Sequence, residues 1–214
     1  MLLLAVSGKP WYVLCYGTTV RVVGDVTQVQ EVSMASHDTL NDLYLDQLRD
    51  LYSAERQIVE ALPEMEEAAK SSELRNAFHT HLQQTRGHVA RLEQISQALG
   101  EKLSGEKCDA IEGILKEGKK EMKNWKDAEA RLLDAALIAS GQRVEHYEMA
   151  AYGTTRTLAE RLGRNPDAQL LQQTLDEEKA ADRILTNIAE TLLPGTVSAG
   201  ATRSAGVASE ATLR

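Results

Sequence analysis

From Thr39 onward the apolar residues of this chain recur every three or four positions, the spacing that puts side chains on one face of a helix. Leu48, Leu51, Ile58 and Leu62 form such a stripe, and the helix it predicts, helix A, runs from about Leu40 to Ala69. Pro63 falls inside it and predicts a kink or a break, because proline has no N–H and crowds the preceding turn. Ser71 and Ser72 offer an N-cap for helix B. That helix continues through Leu74, Phe78, His81, Thr85, His88, Leu92 and Ile95 to Leu99, and Gly100 with Ser104-Gly105 ends it. A shorter helix occupies 108–123, with Ile111, Ile114 and Leu115 apolar. Helix C runs from about Lys126 to Leu162, and its inner face reads Leu133, Leu137, Gly141, Val144, Glu148, Ala151 and Thr155. The turn Gly163-Arg164-Asn165-Pro166 stops it. Helix D spans about Asp167 to Leu193, and Pro194-Gly195 closes it.

The connections carry topology. Those between A and B and between C and D are short, so each pair forms an antiparallel hairpin. The B–C connection is long and carries its own short helix, which allows a crossover along the bundle. Two hairpins joined by one long crossover are the ferritin-like arrangement, so the expected fold class is an all-α, ferritin-like four-helix bundle.

The first 33 residues break the pattern. Trp11 to Tyr16 and Thr18 to Val23 are β-branched and aromatic, with Gly17 and Gly24 as punctuation, which is strand-like. Met1 to Val6 is apolar but lacks the basic flank and cleavage site of a signal peptide. Met34, followed by Ala-Ser-His-Asp, has the character of an ordinary protein start. Residues 1–33 are therefore expected to be an extension, poorly ordered or produced by a misplaced start site. Residues 34–195 are expected to form the helical domain, and 196–214, rich in Ser, Ala, Gly and Thr, a disordered tail.

Composition narrows the partners. Of 214 residues, 43% are hydrophobic and 26% charged, the balance of a globular chain long enough for a substantial core. The net charge of -8 argues against nucleic acid as a main partner, since phosphate binding needs a basic surface. No run of about twenty apolar residues predicts a membrane span. Cys15 and Cys108 lie far apart in unlike contexts, neither a metal pair nor a disulfide framework, which fits a reducing cytoplasm.

Against this background the polar residues on the inner stripes stand out. Glu55 interrupts the apolar face of helix A, and a buried carboxylate is costly unless something pairs with it. His81, Thr85 and His88 repeat the anomaly on helix B, Glu145 and Glu148 on helix C, and Glu177 and Glu178 on helix D. Acids and imidazoles converging from four helices point to a buried metal site, and carboxylates suit iron or manganese because they can bridge two hard ions. The candidate ligands are Glu55, His81, Gln84, Glu145, Glu148, Glu177 and Glu178. Ferritin-like di-metal bundles carry a Glu-x-x-His on two of their helices. Here that motif is incomplete on helix B, where Thr85 precedes His88 and Gln84 follows His81, and on helix D, where Ala181 follows Glu178. Each candidate has a plainer alternative. Glu55 can pair with His81 or an arginine, and His88 can be a satisfied polar core residue. One of Glu177 and Glu178 is expected to be merely solvated, His79 to face water, and His146 to bond between helices. Tyr147 and Tyr152 lie near enough to be redox-active, but packing is the default for tyrosine.

Several strings are distinctive. They are Leu51-Tyr-Ser-Ala-Glu-Arg-Gln57, Ala77-Phe-His-Thr-His-Leu82, Val144-Glu-His-Tyr-Glu-Met-Ala-Ala-Tyr-Gly153 and Thr174-Leu-Asp-Glu-Glu-Lys-Ala-Ala-Asp182. In this order, over Thr39 to Leu193, they resemble the YciE/YciF-like bacterial stress-protein family. The resemblance implies a ferritin-like bundle with an extra helix, a homodimer, a cytoplasmic stress role, and a di-iron or related centre. The family pattern has Glu where this chain has Gln84, and residues 1–33 have no counterpart in it. Two function readings follow. One is a metal-binding redox protein that meets a small-molecule oxidant, peroxide or oxygen. The other is a non-enzymatic bundle whose polar core pairs internally and whose surface binds a partner. Iron storage would need assembly into a shell, which nothing in the sequence indicates.

Overall fold

The computed structural model describes residues 2–6, 9–16, 19–23 and 29–33 by their backbone, and residues 39–193 with their side chains. The chain divides into two units, Met1–Asp46 and Gln47–Arg214. The first carries strands β1 (Leu2–Val6), β2 (Lys9–Tyr16), β3 (Thr19–Val23) and β4 (Val29–Ser33). They form an antiparallel meander in chain order, with Leu2 opposite Val13, Tyr12 opposite Val23 and Thr19 opposite Ser33. The strand-like stretches of the sequence are thus β2 and β3, where β-branched and aromatic residues suit a pleated surface. Gly17, Gly24, Met34 and the tail after Leu193 lie outside the described residues.

Five helices follow: α1 (Leu40–Ala68), α2 (Ser72–Leu99), α3 (Asp109–Trp125), α4 (Ala130–Arg161) and α5 (Asn165–Leu192). Thr39 and Asp42 cap α1 reciprocally, each backbone N–H donating to the other's side-chain oxygen at 3.1 Å. Pro63 neither breaks nor ends α1, which continues to Ala68. It sits on the exposed side of the helix, where its ring does not intrude on the packed core. Ser71 caps α2, its hydroxyl accepting from Leu74 N–H at 3.2 Å. Gly100 stops α2 at φ 70°, a left-handed conformation that its missing Cβ makes inexpensive. Helix α4 starts at Ala130, later than the periodicity suggests, because the chain turns after Trp125, whose carbonyl accepts from Ala128 N–H.

Cross-helix pairs fix the directions. Tyr52 meets Glu93, and Glu66 meets His79, so α1 and α2 run antiparallel. Gln142 reaches Asp182 and Thr186. With Gly163 turning the chain at φ 71°, α4 and α5 are antiparallel too. Both carboxylate oxygens of the buried Asp134, near the start of α4, accept backbone N–H groups of Lys70 and Ser71 at 2.7 Å. The starts of α2 and α4 therefore lie at the same end, and the two helices run in the same direction. The segment between them must return along the length of α2, about 42 Å at 1.5 Å per residue, and α3 lies in that return. It is pinned to α1 where Cys108 N–H donates to Ser53 Oγ at 2.9 Å and Gln57 donates to the Cys108 carbonyl at 3.1 Å.

This is an all-α, ferritin-like bundle of two antiparallel hairpins with a long crossover. Ile58, Leu62, Leu74, Phe78, Leu82, Ile111, Leu137, Ile138 and Leu185 belong to one apolar cluster. Gly141 leaves room for its neighbours: a Cβ there would lie 3.0 Å from Leu185 Cδ1 and 3.5 Å from Phe78 Cε1. Among the described residues no helix is long and apolar enough to cross a membrane.

Candidate metal centre

Beside this apolar cluster the bundle interior turns polar. Glu55 on α1, His81 and His88 on α2, Glu145 and Glu148 on α4, and Glu178 on α5 are all buried. Helical spacing explains the convergence. Glu145 and Glu148 are one turn apart, and His81 and His88 two turns, so each pair shares an inward face. Their ligand atoms form two groups. His81, Glu145, Glu148 and Glu178 each place one within 4.8 Å of the others, and so do Glu55, His88 and Glu178. Glu178 belongs to both groups, the position a bridging carboxylate would take.

The polar atoms of this cluster are under-satisfied. Glu55 Oε2, both nitrogens of His81, His88 Nδ1, Glu145 Oε2 and both oxygens of Glu148 and Glu178 are buried without a hydrogen-bond partner. Some of them approach closely without hydrogen-bond alignment: His88 Nδ1 lies 2.8 Å from Glu178 Oε1 and 3.3 Å from Glu55 Oε1, and His81 Nε2 lies 3.4 Å from Glu145 Oε1. A buried polar atom without a partner costs roughly 1–3 kcal/mol, so this many in one place calls for something that binds them together. Two divalent cations fit the donor set. Four carboxylates would balance their charge, and two imidazoles would complete the mixed oxygen and nitrogen set that iron and manganese accept.

Electrostatics agree. Burial, reinforced by the Glu178 charge, pushes the Glu145 and Glu148 carboxyls well above the usual range. Burial also raises Glu55, against the pull of His88. Burial disfavours a charged His88, yet the carboxylates of Glu55 and Glu178 outweigh it and raise its pKa to about 10. Glu178 is held below the ordinary value despite burial, through His88 and His81. Without a cation, then, protons partly neutralise this crowd of acids.

The groups around the cluster orient it. His88 Nε2 lies 2.9 Å from Glu177 Oε2, and Arg91 grips both Glu177 oxygens at 2.7 and 2.8 Å. Burial opposes ionisation of Glu177, but Arg91 and His88 lower its pKa, so it is a carboxylate acceptor and His88 Nε2 carries the proton. That leaves His88 Nδ1 facing Glu55 and Glu178, the carboxylate–histidine relay common behind metal ligands. Tyr152 donates its hydroxyl to Glu55 Oε1, leaving Oε2 free.

Of the residues singled out in the sequence, Glu55, His81, Glu145, Glu148 and Glu178 come together. Glu177 belongs to neither group and stands behind His88. Gln84 is half-buried and lines a cavity beside His81 and Glu145. His88, which the sequence leaves open between a ligand and a satisfied core residue, joins the group with Glu55 and Glu178; its i+7 relation to His81 is the signal that places both on one face. The roles of Arg91 and Tyr152 as supports also had to come from the three-dimensional arrangement. On α4 the inward residue beyond Glu148 is Tyr152, fully buried, whereas Ala151 is half-buried. His79 is exposed, and the exposed His146 lies 3.4 Å from Asp182 across the α4–α5 contact. Tyr147 donates to Asp50 and lies 3.0 Å from Cys108 Sγ, a contact that packs the crossover and stands outside both groups.

Four glutamates and two histidines are the inventory of a ferritin-like di-metal bundle, redistributed so that both histidines come from one helix. The fold and this cluster define the class: a ferritin-like bundle with a buried carboxylate–imidazole core. Within that class the chain belongs to the DUF892 family, a domain of unknown function, whose profile matches residues 39–198. It is 43% identical over 152 residues to the Escherichia coli (strain K12) protein YciF, covering 71% of this chain and 90% of that protein. The crystal structure of the E. coli stress protein YciF superposes with a TM-score of 0.70 at 41% identity, over 73% of this chain and 98% of that one. The solved structure of YcfI from Rhodopseudomonas palustris does so at 0.68 and 42% identity, over 72% and 96%.

Proposed function

We propose that this chain is a stress-response protein that holds two divalent ions, iron or manganese, in its bundle core for a redox reaction with a small-molecule oxidant such as peroxide. One observation carries the reading: two ligand groups share Glu178, with most of their polar atoms unpartnered. The stress role is carried over from the E. coli relative, which is described as a stress protein. A homodimer is part of the same proposal.

Bound iron or manganese supplies reversible electron transfer in a protected site. The chain's own residues hold and insulate that site. With two ions bound, Glu178 would be shared between them, His81 with Glu145 and Glu148 would hold one, and Glu55 with His88 would hold the other. Glu177 keeps the His88 proton on Nε2, and Tyr152 holds Glu55 through Oε1 and leaves Oε2 without a partner.

Metal analysis and thermal melting test this directly. Protein supplied with Fe²⁺ or Mn²⁺ is expected to retain two ions per chain. At a hundredfold excess over Kd, folding should be stabilised by about 2.7 kcal/mol per site. Glu178→Ala, which removes the shared ligand, should reduce the stoichiometry below two. Absence of both retained metal and a melting shift would instead favour the internally paired, partner-binding bundle. That second reading draws its support from the pairs Tyr152–Glu55 and Arg91–Glu177–His88.

A further inference from the structure

Between α2 and α5 a cavity of about 420 Å³ opens from the surface toward the polar cluster. Its walls are mostly apolar: Phe78 on α2 faces Ile184, Leu185 and Ile188 on α5. Glu73 and Thr80 on its rim are exposed, whereas His81 and Glu145 on its inner side are buried and Gln84 beside them is half-buried. The His81 side chain is only 7% exposed, and neither ring nitrogen has a hydrogen-bond partner. The cavity is therefore greasy along its walls and offers unpartnered polar atoms at its end. This is the layout of a site for an amphiphile with a long tail and a small head.

We propose that this cavity binds a medium-chain aliphatic molecule with a neutral hydroxyl-type head group, an alcohol or hydroperoxide, with that head group directed at His81 and Glu145. At about 30 Å³ for each water-sized group, the volume accommodates a chain of on the order of ten heavy atoms. Longer chains have somewhere to go: Glu73 and Ile188 also border a second groove of 440 Å³ that continues past Asn187 toward Leu192. The head group must be neutral for two reasons. A carboxylate would meet the ionised Glu178 close behind His81, and Glu73 at the rim. A cationic head would have to leave water and pass apolar walls. A hydroxyl sheds little hydration and can bond to the imidazole. The inference rests on the redox reading only for making this molecule a substrate; binding itself is a property of the metal-free protein.

The test is a titration of metal-free, full-length protein with 1-octanol and with octanoate, followed by calorimetry and by amide NMR shifts at Ala77 and Ala181. Octanol is expected to bind saturably at one site with shifts confined to α2 and α5, and octanoate about tenfold more weakly. Ile184→Asp changes a residue that is 48% exposed, so folding should survive, yet it sets a charge at the mouth and should weaken octanol about tenfold. Ala181→Phe should fill the cavity and abolish binding. Absence of saturable octanol binding, or equal binding by wild type and both variants, would overturn the proposal. So would octanoate binding as tightly as octanol. Should octanol not bind while Ile184→Asp dissociates a dimer, the groove is a subunit interface and the proposal fails. Metal stoichiometry separates the two readings: octanol binding without metal uptake keeps the cavity and removes the redox role, and metal uptake without octanol binding does the reverse.

Discussion

Glu177 and Glu178 are adjacent in the chain and differ in everything that follows from their environments. Successive helical residues point about 100° apart, so one turns to the bundle axis and the other to its edge. Glu178 is fully buried and joins both ligand groups. Glu177 keeps a quarter of its side chain exposed, pairs with Arg91, and holds the His88 proton. If that assignment is right, Glu177→Ala will not remove a ligand but will release the His88 ring. Loss of such a partner weakens metal affinity by roughly 10–100-fold, and the loss should fall on the half built from Glu55 and His88. Stepwise titration with Mn²⁺ reads this as one weakened ion beside one that is nearly unchanged. Glu177→Gln, which can still accept from His88 Nε2, should recover much of the affinity. Equal weakening of both ions, or none, would count against the relay.

At the level of the elements, the least replaceable contact between hairpins is made by Asp134. Its two oxygens accept backbone N–H groups from the short α1–α2 connection, so one side chain on α4 stops the start of α2 from fraying. Bonds to a charged acceptor contribute about 1.5–3 kcal/mol each. Asp134→Ala is therefore expected to cost about 3 kcal/mol in urea unfolding, and Asp134→Asn less, because one acceptor remains. A cost below about 0.5 kcal/mol would show that water replaces the carboxylate freely. Nothing in the local sequence announces this cap, since its partners lie 63 and 64 residues away. The helices themselves were legible because burying one face imposes a period, and Ser71 and Gly100 end an element through local chemistry. The start of α4 was not, since 126–129 contains residues equally at home in a helix or a turn. The site divides in the same way. Glu55, Glu145, Glu148 and Glu178 betray themselves as acids on apolar stripes. Gln84, put forward one turn beyond His81, lines the cavity beside His81 and Glu145. His88 lies on the same inward face as Leu92, and only Glu177, brought close by tertiary packing and gripped by Arg91 one turn beyond His88, distinguishes a candidate ligand from a core histidine.

At the scale of the whole molecule, everything assigned to function lies between Glu55 on α1 and Ile188 on α5. The family match begins at residue 39, after the last strand. The helix cap made by Thr39 and Asp42 lies beyond residue 33 as well, so a chain beginning at Met34 retains α1 with its first turn intact. Both groups of ligand atoms come from residues between Glu55 and Glu178. The expected result of deleting those residues is thus unchanged metal stoichiometry, the same oligomeric state on a sizing column, and a melting temperature within about 2 °C of the full chain. For a domain of this size about 1 kcal/mol corresponds to 2–4 °C, so a larger fall would mean that the four strands stabilise the helices. Loss of metal with retained melting would mean something different, that the sheet guards the centre without supporting the bundle. The two outcomes separate because one is read in the melt and the other in the metal content. The unchanged result would assign the ferritin-like bundle both the stability and the chemistry of this protein.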